Sequence, residues 1–337
     1  MAGRSGWRRV GSKRRFRYLD ADGKEITDEE KLERIRSLVI PPAWRDVWIS
    51  PSPRSKLQAT GVDAAGRKQY LYHPAYRARQ EQAKYDKLIR FAEKLPDLRA
   101  AMAEHIELDG LPFERVAAIA VRLINVGWFR VGSDRYAKES RTFGITTLRK
   151  SHVRVRGKRV SFRYRAKHKI VVHSAFVDAE LADAIRDLST TPGARLFRYE
   201  EAGEWLNLDS RKLNEYLRTY LDPDFTAKDF RTWGGTLIAA IAFAEHDPPE
   251  NPTQAKQRVA AVMRHVAERL GNTPAVARSS YVSPAVVEQY LDGRTVDDFR
   301  PRHLRVVGAR DIELDPEEQA TLTLLRSWRI KSSRAAA

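Results

Sequence analysis

Two hydrophobic periods divide the chain. Up to about residue 73 the apolar and aromatic positions come in short runs: Phe16 to Leu19, then Val47, Trp48 and Ile49 within 46–50, then 57–61, then 66–73, where polar and aromatic side chains alternate. Alternation at period two predicts strands. Asp20-Ala21-Asp22-Gly23 reads as a turn, 28–38 as one short helix, and Pro41-Pro42 as its break. From Pro74 the period lengthens. Helical spacing runs through 76–94, 111–126, 177–188, 209–221, 227–245, 255–270, 284–291 and 316–328, with a helical turn over 134–141. The segment 111–126 is the clearest, with Val116, Ile119, Ala120, Leu123 and Ile124 on one face. Between the helices, 153–172 alternates strongly, with turns at Gly157-Lys158 and at 166–169, and predicts a β-hairpin or a three-stranded sheet. The fold class expected is α+β: a small antiparallel β domain over 1–78, and a larger, mainly helical domain over 79–337 that contains a small sheet.

Composition adds a partner class. Among 337 residues, 61 Lys plus Arg stand against 44 Asp plus Glu, a net charge of +17. Such an excess suits a polyanion, because cationic side chains that replace counterions on phosphates gain affinity by releasing them. Residues 1–17 hold seven of these cations and no acid, and read as an arm that stays mobile until it meets phosphate. With no cysteine there is no disulfide and no thiol chemistry, and the eight scattered histidines do not have metal-ligand spacing. No apolar run reaches 18 residues. The segment 61–68 fails as a phosphate-binding loop, with Arg67 and Lys68 where Lys and Ser or Thr are needed, so nothing suggests nucleotide hydrolysis.

The candidate chemistry centres on 270–281. A Gly271-Asn272-Thr273-Pro274 break follows an amphipathic run, and Thr273 is placed to cap a short helix whose first residue is Pro274. That helix ends near Tyr281, one of 12 tyrosines. Upstream stand Arg130 in Phe129-Arg130-Val131-Gly132, Lys167 in the basic hairpin, and Lys228-Asp229-Phe230-Arg231. In this order, and with Gly66 to Tyr72, Tyr136 and Glu139, Gly144 to Leu148, and Thr232-Trp233-Gly234, the chain resembles the type IB DNA topoisomerases of the poxvirus and bacterial branch over about residues 30–295.

The resemblance implies a topoisomerase IB-like (tyrosine recombinase-like) fold and a nucleophile, Tyr281, that leaves a 3′-phosphotyrosine and a free 5′ hydroxyl. It implies Arg130 and Arg231 on the non-bridging oxygens, and Lys167, rather than the neighbouring Lys169, as the acid on the 5′ oxygen. At the position of Asn272 the poxvirus pattern has His; Asn can donate a hydrogen bond to an oxygen but cannot move a proton. Gln69, Tyr70, Tyr72, Tyr136 and Thr147 correspond to DNA-contacting positions, Gln69 being suited to adenine. The chemistry suits these residue types. Arginine forks match pairs of phosphate oxygens, and a phenol, with a pKa near 10, leaves more readily than an alkoxide, so cleavage is the step that needs an acid.

The resemblance further implies double-stranded DNA as partner, no cofactor, metal or ATP, and a cytoplasmic, nucleoid-associated monomer that closes on DNA as a clamp. Two other readings stay open. A tyrosine recombinase shares the nucleophile, but typically has His-x-x-Arg where this chain has Lys228-x-x-Arg231. A non-catalytic DNA-binding protein would need only the charge.

Overall fold

The computed structural model describes residues 5–12, 15–167, 170–300 and 312–336. The chain divides into two units, residues 1–85 and 86–337.

The first unit is a five-stranded antiparallel sheet. Its elements are β1 (Trp7–Ser12), β2 (Arg15–Leu19), α1 (Glu29–Ser37), β3 (Arg45–Ile49), β4 (Leu57–Val62) and β5 (Lys68–Tyr72), with strand order β2-β1-β3-β4-β5. Helix α1 starts where expected because the Asp28 side chain accepts from the Lys31 amide, leaving Glu29 and Glu30 in the first turn. The core is Trp7, Ile26, Ile35, Val47, Ile49 and Ala59. Trp7 corrects the reading of residues 1–17 as a mobile arm. Its indole is buried, and β1 pairs with both β2 and β3. Arg9 is likewise structural: it donates to the carbonyls of Ile40, Pro41 and Trp44 and lies over the Phe16 ring. Arg4, Lys13 and Arg14 of that segment lie outside the described residues.

Helix α2 (Pro74–Ile106) runs twelve residues beyond the expected end at Lys94 and carries Pro96 in its interior. An internal proline costs about 3 kcal/mol. Phe91, Ala92, Leu95, Leu98 and Met102 keep the apolar stripe going through it and are all buried. Each large side chain contributes roughly 1.5–3 kcal/mol, so burial wins.

The second unit continues with α3 (Phe113–Gly127), α4 (Asp134–Glu139), β6 (Val153–Arg156), β7 (Arg159–Arg165), β8 (Val171–Val177), α5 (Ala179–Thr190), β9 (Arg198–Glu201) and β10 (Glu204–Asn207). It ends with α6 (Ser210–Tyr220), α7 (Ala227–Ala244), α8 (Pro252–Leu270), α9 (Pro274–Ser280), α10 (Pro284–Leu291) and α11 (Pro316–Ala336). Strands β6, β7 and β8 form the three-stranded antiparallel sheet. Val177 ends β8 rather than opening a helix, because Asp178 caps α5 through the Leu181 amide. The β9–β10 hairpin was not expected. Its strands are four residues each and half charged, so period-two apolar alternation is hardly visible, although Ala202 and Gly203 supply the two positive φ angles of a tight hairpin turn. Helix α7 is central, packed by α3, α6, α8, α10 and α11. It is buried almost continuously from Phe230 to Phe243. No described helix is long and apolar enough to cross a membrane.

Candidate active site

Arg130 is delivered by the end of α3. Trp128 closes that helix in the left-handed region (φ +50°) and donates its amide to Ile124 O. The reversal buries Phe129 against the inner face of the sheet, with ring centroids 5.3 Å from Phe162, 6.1 Å from Tyr164 and 6.0 Å from Phe176. The chain around Arg130 is then pinned from the side. Ile145 N donates to Arg130 O at 2.8 Å and Thr146 N to Val131 O at 2.8 Å. Gly144 sits so close that a Cβ there would lie 2.4 Å from Arg130 O.

Arg231 sits on the first turns of α7. The helix begins with a reciprocal cap in which Thr226 N donates to Asp229 Oδ2 at 2.8 Å. The Arg231 side chain donates to Trp128 O through Nη1 and to Leu270 O, at 2.7 Å, through Nη2. The residue is 5% exposed. Gly234, one turn on, lets the Trp128 indole lie against the helix backbone, since a Cβ there would fall 2.2 Å from Nε1.

Helix α8 ends at Gly271, φ +60°, where glycine is favoured. Arg130 Nη2 donates to Gly271 O at 2.8 Å and to Asn272 Oδ1 at 2.6 Å. That second bond fixes the amide's orientation and leaves Asn272 Nδ2 as its donor. This nitrogen is buried with no partner among the described residues, as is Arg231 Nε. Thr273 then caps α9 by accepting from Val276 N, with Pro274 as the first helical residue, as the sequence suggests. Tyr281 closes α9. Its carbonyl accepts from Thr236 Oγ1 at 3.2 Å, and its ring lies beneath Arg231, 5.1 Å from Cζ to centroid. Gly235 permits that approach: a Cβ there would be 2.7 Å from Tyr281 O.

Among the described residues neither arginine has a carboxylate partner. Burial, and after it the charge of Arg231, pulls the Arg130 guanidinium below the usual arginine value, while Tyr281 and Tyr164 oppose the shift. A guanidinium nevertheless stays charged. Two neighbouring cations, one buried and one half-buried, held only by neutral oxygens, keep the charge that an anion would need.

The structure thus brings Arg130, Arg231, Asn272 and Tyr281 together. Lys167 stands on the exposed β7–β8 turn and makes no hydrogen bond with these four. The turn is anchored to the same framework: Ala166 N donates to Ile170 O at 2.7 Å, and Phe143 N, two residues before Ile145, donates to Arg165 O at 2.8 Å. Lys169 lies outside the described residues.

The expected DNA contacts divide. Tyr70 and Tyr72 are 48% and 39% exposed and stack at 6.2 Å, while Tyr136 on α4 is 53% exposed. Thr147 is buried, and its hydroxyl bonds with Gly144 N and O, so it shapes the loop that pins Arg130. On β5, Gln69 lies on the face opposite Tyr70 and Tyr72, half-buried, and donates to Asp63 Oδ2 at 2.8 Å. Asp63 is held down to about 2, chiefly by hydrogen bonds from Arg67. Sequence reasoning missed Gly235, Trp128 and Tyr164. Paired glycines inside a helical run were the available signal for the first, since glycine within a helix has a packing reason when it persists.

Two family models match the chain. One, described as eukaryotic DNA topoisomerase I, catalytic core, covers residues 73–295, and the other, bacterial DNA topoisomerase IB, N-terminal domain, covers residues 15–63. The chain is 31% identical over 284 residues to the DNA topoisomerase 1B of Acanthamoeba polyphaga mimivirus, covering 82% of this chain and 84% of that one. It is 22% identical over 296 residues to the DNA topoisomerase 1B of Vaccinia virus (strain Copenhagen), covering 82% and 90%. It is 23% identical over 305 residues to the DNA topoisomerase 1 of Rabbit fibroma virus (strain Kasza), covering 85% and 93%.

Proposed function

The chain belongs to the type IB DNA topoisomerase family, and on that footing we propose that it relaxes supercoiled duplex DNA through a transient single-strand break. The observation that carries this reading is the pair of guanidiniums without a carboxylate, Arg231 buried and Arg130 half-buried, with Arg231 lying over the ring of Tyr281.

Arg130 and Arg231 hold the non-bridging oxygens of one backbone phosphate. Arg130 engages only Nη2 with protein oxygens among the described residues, leaving N–H groups on Nη1 and Nε to donate singly to the anion. Asn272 Nδ2 supplies a further donor, which satisfies a group that is otherwise orphaned. Tyr281 Oη attacks phosphorus, losing its proton to water. An O–P bond to tyrosine forms and the bond from phosphorus to the 5′ oxygen breaks. Lys167, reaching from its anchored turn, gives the 5′ oxygen its proton. Charge gathers on the equatorial oxygens in the transition state, where each positioned donor is worth on the order of 3–4 kcal/mol. Religation is the reverse. One phosphodiester is exchanged for another, so neither ATP nor a metal is required. Tyr70 and Tyr72 of the first unit, and Tyr136 of the second, supply further DNA contacts.

Plasmid relaxation without metal or nucleotide tests the proposal. Wild type should change the linking number and Tyr281→Phe should not. Salt-sensitive binding with no change in linking number would leave only a DNA-binding protein, and joining of specific sites would point to a recombinase.

A further inference from the structure

Tyr164 is not among the residues that the family resemblance singles out. It lies on the inner face of β7, where Val160, Phe162 and Tyr164 alternate with Ser161 and exposed arginines. It is 5% exposed, its ring runs nearly parallel to that of Phe129, the residue before Arg130, and its other flank meets His152 at 6.2 Å. Its strand is tied to the Arg130 segment through Phe143 N to Arg165 O and Ile145 N to Arg130 O. Among the described residues no group hydrogen-bonds its hydroxyl. The ring is buried, but the hydroxyl at its tip is not sealed from solvent, so it is free to donate to a bound anion. Resting on the assignment of Tyr281 and the two arginines to a scissile phosphate, we infer that Tyr164 is a further catalytic residue, donating a hydrogen bond from its hydroxyl to a non-bridging oxygen of that phosphate.

The charges of Arg130 and Arg231 both act on the Tyr164 hydroxyl. Burial outweighs them and pushes the phenol above its ordinary value, so it keeps its proton at neutral pH and remains a donor. The same burial separates its role from that of Tyr281, which is half-exposed at a helix end.

Tyr164→Phe removes one oxygen and keeps the ring. Single-turnover cleavage and religation rate constants should both fall about tenfold to a hundredfold, as for loss of one positioned donor. The equilibrium fraction of covalent adduct should not change, because the bond is used in the shared transition state. The variant should melt at or above the wild-type temperature, since its hydroxyl has no protein partner to lose. The decisive readout uses duplexes whose scissile phosphate carries a methylphosphonate. With the acceptor oxygen gone, wild type and Tyr164→Phe should cleave one of the two stereoisomers at equal rates. A full wild-type rate on normal DNA overturns the inference. So does an unchanged defect on both stereoisomers, or a large loss of melting temperature, either of which would make the hydroxyl structural. If wild type forms no adduct at all, the proposed function falls with it; if wild type does and Tyr164→Phe matches it, only the role of Tyr164 falls.

Discussion

Arg130 and Arg231 donate to the carbonyls of consecutive residues, Gly271 and Leu270, at the last turn of α8. A helix C-terminus carries partial negative charge and unpaired carbonyls. It can therefore orient two guanidiniums without neutralising them. Carboxylates would orient them equally well but would cancel the charge that a phosphate needs.

Asn272→Asp tests this directly. The new carboxylate would accept from Arg130 in the geometry that Asn272 Oδ1 now occupies, 2.6 Å away. It would pair with the cation, lose the Nδ2 donor and repel a phosphate. Cleavage in single turnover should fall by about 10² or more, while the melting temperature should rise or hold. Activity near wild type would mean that Arg130 does not meet the anion.

Gly235→Ala separates packing from chemistry. Alanine gains about 1 kcal/mol of helix propensity, but its Cβ would sit 2.7 Å from Tyr281 O and 2.9 Å from Tyr281 Cβ. Overpacking of that kind costs about 1–3 kcal/mol. Net stability in urea should drop by no more than about 2 kcal/mol, whereas a displaced Tyr281 should slow cleavage about 10²-fold. Equal modest losses in both would show that the approach of α7 to Tyr281 is not critical.

Lys167→Ala should slow cleavage far more than religation. A sulfur leaving group at the bridging 5′ position needs little protonation, so such a substrate should restore most of the rate. A defect that persists on the sulfur substrate would remove Lys167 as the acid.

His152 gives the second unit a pH dependence. Its ring lies 4.5 Å from Phe143 and 6.2 Å from Tyr164, and its Nδ1 accepts from Arg149 N. Burial first, then the charge of Arg149, lowers its pKa from 6.5. A lowered folded-state pKa means that the stabilisation is present above 6.5 and is lost as pH falls below it. Melting temperature should decline from pH 7.5 to 5, and His152→Asn, which can still accept from Arg149 N, should flatten that decline. An identical profile in the variant would place the pH sensitivity elsewhere.

Much of this molecule was legible in advance, for identifiable reasons. The cap at Thr273, Pro274 as the first residue of α9, and the clear helix carrying Val116 to Ile124 depend on local chemistry that a sequence carries whole. The N-terminal strand β1 was not legible, because the number of its cations hid Trp7, the residue that decides its fate. Pro96 misled for the opposite reason, a strong local signal overridden by buried leucines on either side. At the site, residue types and their order pointed to Arg130, Arg231, Asn272 and Tyr281. The carbonyls that hold the arginines belong to Trp128, Leu270 and Gly271, and no side-chain pattern encodes where a main-chain oxygen will point. Gln69 and Thr147 show the converse: suitable side chains whose polar groups are engaged by Asp63 and Gly144.

Peptide mass spectrometry of the trapped DNA adduct bears most directly on the central assignment. Protein mixed with duplex DNA is denatured during turnover, digested, and searched for a nucleotide linked to tyrosine. The expected product is a 3′-phosphonucleotide on the peptide that contains Tyr281, absent from Tyr281→Phe. A nucleotide on any other residue, Tyr164 included, or an adduct that survives in Tyr281→Phe, would contradict it.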